Sequence, residues 1–348
     1  MRVAVLGANG QVGSEVCLLL RGAPGVEVVP ICRNRSGSAF LRWHGLPCRH
    51  GSVADAAQAR DLLSDCDVVA NFALAVGRPR ESRTANALLI RQAAEASAPE
   101  ARIAYFSTLS VHARFQPAGS PRSRSAYGVE KLRCERDARA AAKRWGKPTW
   151  ILRLGHVSGA LQGIHHELRR LVLAGPVTVP EEGRRSSNLV HTVTVAEAVL
   201  RVGLGSDPPG TYDLLSAPLW TWRDVLAEEA AAAGVPLRIL SADPAGDGRG
   251  LLRGVAARLL AAPRTRELAL SLIAHLPEKL NLEAQSRHFR RRAAAEIAAL
   301  RARPASHAAF TFPALEARLL PSLTPTARLL EEGRGRIAPP LPGPIGEP

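Results

Sequence analysis

Long apolar runs are missing from this sequence: no uninterrupted stretch approaches the roughly 18 residues needed to cross a bilayer, so a membrane-spanning chain is not expected. The opening segment, 1–20, does not read as a secretion signal, because Gly7, Asn9, Gly10, Gln11, Ser14 and Glu15 interrupt what should be an apolar core. A cytoplasmic protein is expected. Cysteine is scarce, odd in number and scattered (Cys17, Cys32, Cys48, Cys66, Cys134), with no C-x-x-C spacing and no adjacent histidines, which points to neither a disulfide framework nor a bound metal. Aromatic residues make up only 4%, and no RNP-like aromatic motif, zinc finger or helix-turn-helix pattern occurs. Acidic residues are outnumbered by basic ones, 31 to 46, giving a net charge of +15 that leans towards the first half. That balance favours an anionic partner, whether nucleic acid, an acidic surface or a phosphorylated small molecule. The densest basic cluster, Arg287 with Arg290, Arg291 and Arg292, reads as a solvated helix face, and nucleic acid is not expected as a partner.

What is present suffices for a sizeable core: 348 residues, 46% of them hydrophobic and 22% charged, allow about two domains or one enlarged one. Short aliphatic runs at 2–6, 26–31, 68–71, 102–106 and 149–154, with a weaker one at 46–48, alternate with helical stretches at 11–21, 55–63, 83–96 and 126–145. Such alternation predicts an α/β fold, a doubly wound parallel sheet of the Rossmann kind over 1–154, with segments returning to it from about 186–216. Beyond Gly155 the pattern changes to separate helices, such as 163–174 and 221–233, between Gly/Pro turns, predicting a smaller, irregular, mainly helical lobe over 155–337. Within it, 250–303 reads as basic helices. The Pro- and Gly-rich tail 338–348 is expected to be disordered.

The first strand runs directly into Gly7-Ala8-Asn9-Gly10-Gln11-Val12-Gly13, and an apolar helix follows. Gly7 permits a tight turn, Gly10 lets the backbone approach a pyrophosphate, and Gly13 allows helix to pack closely on strand, while the helix head offers unpaired N–H groups. Glycine spacing alone is weak, but at the first strand-to-helix junction of such a sheet it predicts a dinucleotide site. The acid that would bind the adenosine ribose of NAD at the end of the second strand is missing; Cys32-Arg33-Asn34-Arg35 stands there instead. A guanidinium can grip a 2′-phosphate, so NADP(H) is favoured over NAD(H), with Arg33 first and Arg35 in reserve, unless both are plain surface arginines.

Tyr127 and Lys131 stand one helical turn apart on a shared face. A phenol with a pKa of about 10 is a poor base at neutral pH, and a neighbouring ammonium would favour the phenolate. Tyr127 could then shuttle a proton to or from a carbonyl oxygen. Upstream, the strand 102–106 ends in Ser107-Thr108-Leu109-Ser110-Val111, which puts hydroxyls at the edge of the sheet where open α/β folds bind ligands. Thr108 is the first choice for orienting a substrate oxygen. Ser107 and Ser110 are alternatives, and a hydroxyl that satisfies local backbone is the plainer reading of those two.

Taken together these residues resemble the extended branch of the short-chain dehydrogenase/reductase superfamily, and within it the NAD-dependent epimerase/dehydratase family acting on nucleotide sugars. The resemblance spans about 1–218 and rests on the glycine turn, Asp67 to Ala73, Asn86, Ser107-Thr108 with Val111, Tyr127-x-x-x-Lys131, Arg153 to Gly159, and Asn188 to His191. It implies that Tyr127, Lys131 and Thr108 are catalytic. It implies that the turn 7–13 (Gly7, Asn9, Gly10, Gln11, Val12, Gly13), Ser52, Val53, Phe72 and Ala73 line the dinucleotide, with Lys131 also holding the nicotinamide ribose. The second lobe would bind substrate, with Ser110, His156, Arg184 and Arg185 as candidate contacts. Departures from the family pattern bear on the reaction. Leu109-Ser110 replaces the Asp-Glu pair of sugar dehydratases, which disfavours dehydration, and His156, Val193-Thr194 and Ser52 replace a usual asparagine, an acidic pair and an aspartate. The expected activity is hydride transfer between nicotinamide and a secondary alcohol or ketone, on a nucleotide sugar. The alternatives are an NADPH-dependent ketoreductase of a steroid- or flavonoid-like substrate and a non-catalytic NADP-sensing regulator. The resemblance also implies a homodimer, since relatives often pair through two helices, for which 83–96 and 126–145 are the candidates here.

Overall fold

The computed structural model describes residues 1–75, 79–112, 126–159, 161–215 and 220–242. The basic helices expected over 250–303, the arginine cluster at 287–292 and the tail 338–348 lie outside the described residues.

Seven parallel strands form one sheet: β1 (Arg2–Leu6), β2 (Glu27–Cys32), β3 (Arg49–His50), β4 (Val68–Asn71), β5 (Arg102–Thr108), β6 (Thr149–Leu154) and β10 (Gly210–Leu214), in the spatial order β10-β6-β5-β4-β1-β2-β3. β4 is uninterruptedly apolar up to Asn71 and buried throughout, as expected of a strand covered on both faces. On one face α1 (Gln11–Leu20) and α7 (Thr192–Leu204) pack over a cluster that includes Val3, Val5, Leu19, Val68, Leu152, Val195 and Val199. On the other, α3 (Ala56–Leu63), α4 (Pro79–Glu95) and α5 (Ala126–Trp145) cover Ala4, Val69, Ile103, Tyr105 and Ile151. Each such aliphatic side chain contributes about 1.5–3 kcal/mol by leaving water.

From β1 the chain winds outward to β2 and β3, then returns to β4 and winds the other way to β5 and β6. The carboxyl ends of β1 and β4 therefore diverge into a crevice, the place where open sheets of this kind bind ligands.

Two expectations need adjusting. The third strand is Arg49–His50, not 46–48, because Pro47 has no N–H to donate and the register with Ile31 and Cys32 falls on the next two residues. The fourth helix begins at Pro79 rather than 83, since proline suits a first turn whose N–H groups lack partners.

The second lobe contains α6 (Gly163–Leu173) and α8 (Trp222–Ala232), but also two small parallel sheets, β7 (His156–Ser158) with β9 (Leu189–His191) and β8 (Val177–Pro180) with β11 (Ile239–Ala242). α8 starts with a capping box: Thr221 Oγ1 accepts from Asp224 N at 3.2 Å, and Asp224 Oδ2 accepts from Thr221 N at 2.8 Å. Leu168, Val172, Val177, Leu189, Val225 and Leu226 form its core.

α7 carries a cost. Glu197 is buried, neither carboxylate oxygen has a hydrogen-bond partner, and burial pushes its pKa up to about 8 against the pull of Arg201. The folded protein thus binds a proton there that the unfolded chain releases near its ordinary 4.5. This contribution to stability is present below that value and is lost as pH rises through about 8, with a slope of at most about 1.4 kcal/mol per pH unit. Glu197→Gln should therefore flatten the decline in urea-unfolding free energy between pH 5 and pH 8.5; an unaltered decline in the variant would assign the effect to another group.

Candidate active site

The turn after β1 is built around two close approaches. Gly7 has φ +73°, and a Cβ there would stand 2.8 Å from Ala73 N; a Cβ on Gly13 would stand 2.4 Å from the Gly7 carbonyl. Neither position admits a side chain. Gly10 N donates to Gly7 O at 2.9 Å and Gly10 caps α1, which has no acidic residue in its first turn. The result is a cradle of backbone N–H groups and the positive end of a helix dipole at the β1–β4 crevice, which fits a pyrophosphate in size and charge. Asn9 extends from it toward the turn after β2, where a Cβ on Gly37 would lie 3.1 Å from Asn9 Nδ2 and 3.2 Å from Asn34 Oδ1. Gln11 reaches the other way, its amide nitrogen 3.6 Å from where a Gly163 Cβ would stand at the head of α6, while Val12 packs on the core.

One residue here escaped sequence reasoning. Glu15, read only as a break in an apolar run, is buried on α1, and its Oε2 accepts from Leu161 N at 3.1 Å and from Gln162 Nε2 at 2.9 Å. A buried carboxylate needs such partners, but nothing in the local sequence announces a bond spanning 146 residues.

Arg33 and Arg35 are both exposed in the turn that follows β2. Asn34 Oδ1 accepts from Gly37 N at 2.8 Å, and Arg42 donates to Arg35 O at 3.1 Å and to Ser38 Oγ at 3.0 Å, so the turn has a fixed shape. Past β3, Ser52 N donates to Gln58 Oε1 at 2.9 Å and Val53 is buried. At the end of β4, Ala73 N donates to Asn71 Oδ1 at 3.1 Å, and the Phe72 ring stacks on Phe106 with centroids 3.9 Å apart.

β5 delivers Thr108 to the same edge of the sheet. Its Oγ1 accepts from Ser110 N at 3.2 Å and lies 3.3 Å from Ser110 Oγ. Ser107 faces inward instead and donates to Glu135 Oε1 at 2.6 Å. Tyr127, at the head of α5, keeps 48% of its surface accessible although protein atoms crowd its surroundings, the situation of a side chain in a cleft. That crowding, with the nearby Cys134 thiol, raises the phenol above its ordinary range. In the protein alone, burial is the largest influence on this phenol. Lys131 is buried, donates to Phe106 O at 2.8 Å and lies 5.1 Å from the centre of the Tyr105 ring. Burial lowers it to about 8, while Cys134 and Glu135 pull upward, so the ammonium form predominates at neutral pH.

Beneath these groups lies a buried ionic network that the sequence did not reveal. Arg153 on β6 grips Glu135 with both nitrogens, Nε to Oε1 at 3.0 Å and Nη2 to Oε2 at 2.8 Å, and His112 Nε2 lies 3.0 Å from Asp213 Oδ1 beside it. In the second lobe the His156 ring is 5.3 Å from Trp222 and exposed, and crowding lowers its pKa. Arg184 and Arg185 are exposed and engaged by neighbouring carboxylates, Arg184 with Glu182 at 2.8 Å and Arg185 with Glu181 at 2.9 Å. Among the described residues no cluster of three or more His, Cys, Asp or Glu could hold a metal, and no helix is long and apolar enough to cross a membrane.

Comparison with known proteins bears on this arrangement. The family model for the NAD dependent epimerase/dehydratase family matches residues 3–214. Comparison with curated proteins gave no match. Among solved structures, the chain is similar to a UDP-N-acetylglucosamine 4-epimerase from Bacillus cereus, at 18% identity and TM-score 0.56 over 69% of this chain and 85% of that one. It is similar to a UDP-glucuronic acid 4-epimerase from Bacillus cereus in complex with NAD, at 20% identity and TM-score 0.54 over 69% and 87%. A dTDP-4-dehydrorhamnose reductase from Clostridium acetobutylicum ATCC 824 is similar at 21% identity and TM-score 0.52 over 70% and 84%. These likenesses establish a shared fold, and the family match spans the glycine turn, Thr108, Tyr127 and Lys131: the chain belongs to the NAD dependent epimerase/dehydratase family, of the extended short-chain dehydrogenase/reductase type.

Proposed function

We propose that the protein is an NADP(H)-dependent oxidoreductase or epimerase acting on a secondary alcohol or ketone, carried by a nucleotide sugar. The observation that supports this reading is the head of α5, with the accessible Tyr127, packed against the turn after Thr108 at the carboxyl edge of the sheet where the glycine turn 7–13 also lies. The nicotinamide, when bound, supplies or accepts the hydride. The turn 7–13 holds the pyrophosphate, Phe72 and Ala73 line the dinucleotide, and Ser52 and Val53 lie by the adenine. Thr108 orients the substrate oxygen, with Ser110 beside it. In reduction Tyr127 gives its phenolic proton to the carbonyl oxygen, which suits a phenol held above its ordinary range; in oxidation it takes the hydroxyl proton. Lys131 keeps its charge near the developing phenolate and holds the nicotinamide ribose.

His156 and the 184–185 arginines are the proposed contacts to substrate. Nucleotide-sugar specificity is supported by the names of the structural neighbours, two of which are epimerases of UDP-sugars. A thermal-shift panel of NAD(H) and NADP(H), alone and with UDP- and dTDP-sugars, tests the reading, since a ligand bound only by the native state raises apparent stability. A shift with NADPH that grows on adding a nucleotide sugar is expected. No shift with any dinucleotide would overturn it.

The preference for NADP(H) rests on Arg33 and Arg35 standing where an acid would serve NAD. A charge-assisted bond to the 2′-phosphate contributes about 1.5–3 kcal/mol, so Arg33→Ala should weaken NADPH binding about 10- to 100-fold and leave NADH within a few-fold. Fluorescence titration measures both, and wild-type protein that binds NADH more tightly than NADPH would sink the assignment.

A further inference from the structure

We propose that Glu135 is a positioning residue for proton transfer, its carboxylate holding the face of α5 that carries Tyr127 and Lys131 against the strand that ends in Thr108. This rests on the functional reading of Tyr127, Lys131 and Thr108. Residues 127, 131 and 135 follow one another at intervals of four and so share one face of α5. Two of them bond to consecutive residues of β5: Lys131 Nζ donates to Phe106 O at 2.8 Å, and Glu135 Oε1 accepts from Ser107 Oγ at 2.6 Å. The next residue of that strand is Thr108.

Strand register explains why the carboxylate sits there. Ser107 pairs with Arg153 and Arg153 with Asp213, so these three residues form a polar row across β5, β6 and β10, one residue before the end of each strand. Glu135, wholly buried, enters the row from α5. Its Oε1 is shared between Ser107 Oγ and Arg153 Nε, the latter at 3.0 Å; its Oε2 accepts from Arg153 Nη2 at 2.8 Å and from Arg139 Nη2 at 3.4 Å. Apolar packing is non-directional, whereas charge-assisted bonds to two strands fix one rotation and one height of the helix on the sheet. That matters at the site, because a displacement of about 1 Å can cost about 10²-fold in rate.

The same carboxylate acts on the lysine. Lys131 is faced on its own helix by Cys134 and Glu135 and across from it by Tyr105 of β5, while Glu130 turns to Asn86, and Arg153, His112 and Asp213 lie on the far side of Glu135. Cys134 and Glu135 both draw Lys131 upward against burial, but the Cys134 thiol is itself raised by burial and is neutral at pH 7. Glu135 therefore supplies the negative charge that favours the ammonium.

The chain has four lysines, Lys131, Lys143, Lys147 and Lys279, so carbon-13-labelled lysine gives a spectrum simple enough to follow each one, with Lys131 identified by its loss in Lys131→Arg. In the full-length protein Lys131 should titrate near pH 8, and in Glu135→Gln at lower pH. Ser107→Ala keeps the Glu135–Arg153 pair and its charge, so it should fold and leave the Lys131 titration near that of the wild type. Yet it frees the residue beside Thr108, and kcat should fall about 10- to 100-fold while KM and the NADPH Kd stay within a few-fold. Ser107→Ala turning over at the wild-type rate, or Lys131 titrating at the same pH in Glu135→Gln as in the wild type, would overturn the proposal. A wild-type protein that reduces none of the ketones offered would instead overturn the functional reading, and the lysine titration would still report whether Glu135 governs Lys131.

Discussion

Tyr127→Phe should lower the rate of hydride transfer about 10²- to 10⁴-fold while changing dinucleotide affinity no more than a few-fold, the loss typical of a positioned proton donor. The variant removes one oxygen from a side chain with 48% of its surface accessible, so the helix and its packing stay as they are. The alkaline side of the profile carries further information. Lys131 is lowered to about 8 by burial, so activity should fall as pH rises through that region, where the ammonium is lost. Single-turnover oxidation of NADPH with the ketone of the best-binding nucleotide sugar is the measurement. Equal rates for the variant and the parent would remove Tyr127 from the chemistry, and a parent that binds NADPH without turning over any of these ketones would favour the reading of the chain as a non-catalytic, dinucleotide-responsive regulator.

The second large effect concerns the network below the site. Glu135→Ala should cost about 3–5 kcal/mol, because it leaves the Arg153 guanidinium buried without its carboxylate. Glu135 is 0% exposed, and Arg153 holds it through two bonds of 2.8 and 3.0 Å while Ser107 donates a third at 2.6 Å. For a chain this size that loss lowers the melting temperature by roughly 10 °C. Urea unfolding at pH 7 reads it directly, and a midpoint unchanged from wild type would show that Asp213, reached through His112, takes over the pairing.

The sheet was legible because its strands are short apolar runs whose burial on both faces leaves a local mark, and Val68–Asn71 lies where that mark predicts. The same cue misplaced the third strand, where Leu46-Pro47-Cys48 is apolar but proline cannot donate to a ladder, and it missed the three- and four-residue strands of the second lobe, too short to show any period. The candidate site residues stand out in the sequence as motifs: the glycine turn, Thr108, and the Tyr127–Lys131 pair. Their electrostatics were not, because Tyr127 and Lys131 are shifted mainly by how much protein surrounds them, a property of tertiary structure. Nor were Glu15 and Glu135, whose partners at 161–162 and at 107 and 153 lie far away along the chain.

The Glu15 contacts also constrain any exchange of modules. The carboxylate leaves no room for even a methyl group at position 159, where a Cβ would come within 2.5 Å of Glu15 Oε1. A chimera that grafts a foreign second lobe onto this sheet must therefore keep Gly159, and a junction cut at 155 would import a segment never shaped to receive that carboxylate. The workable seam lies beyond Gln162, so that the clasp stays with the half of the protein that made it.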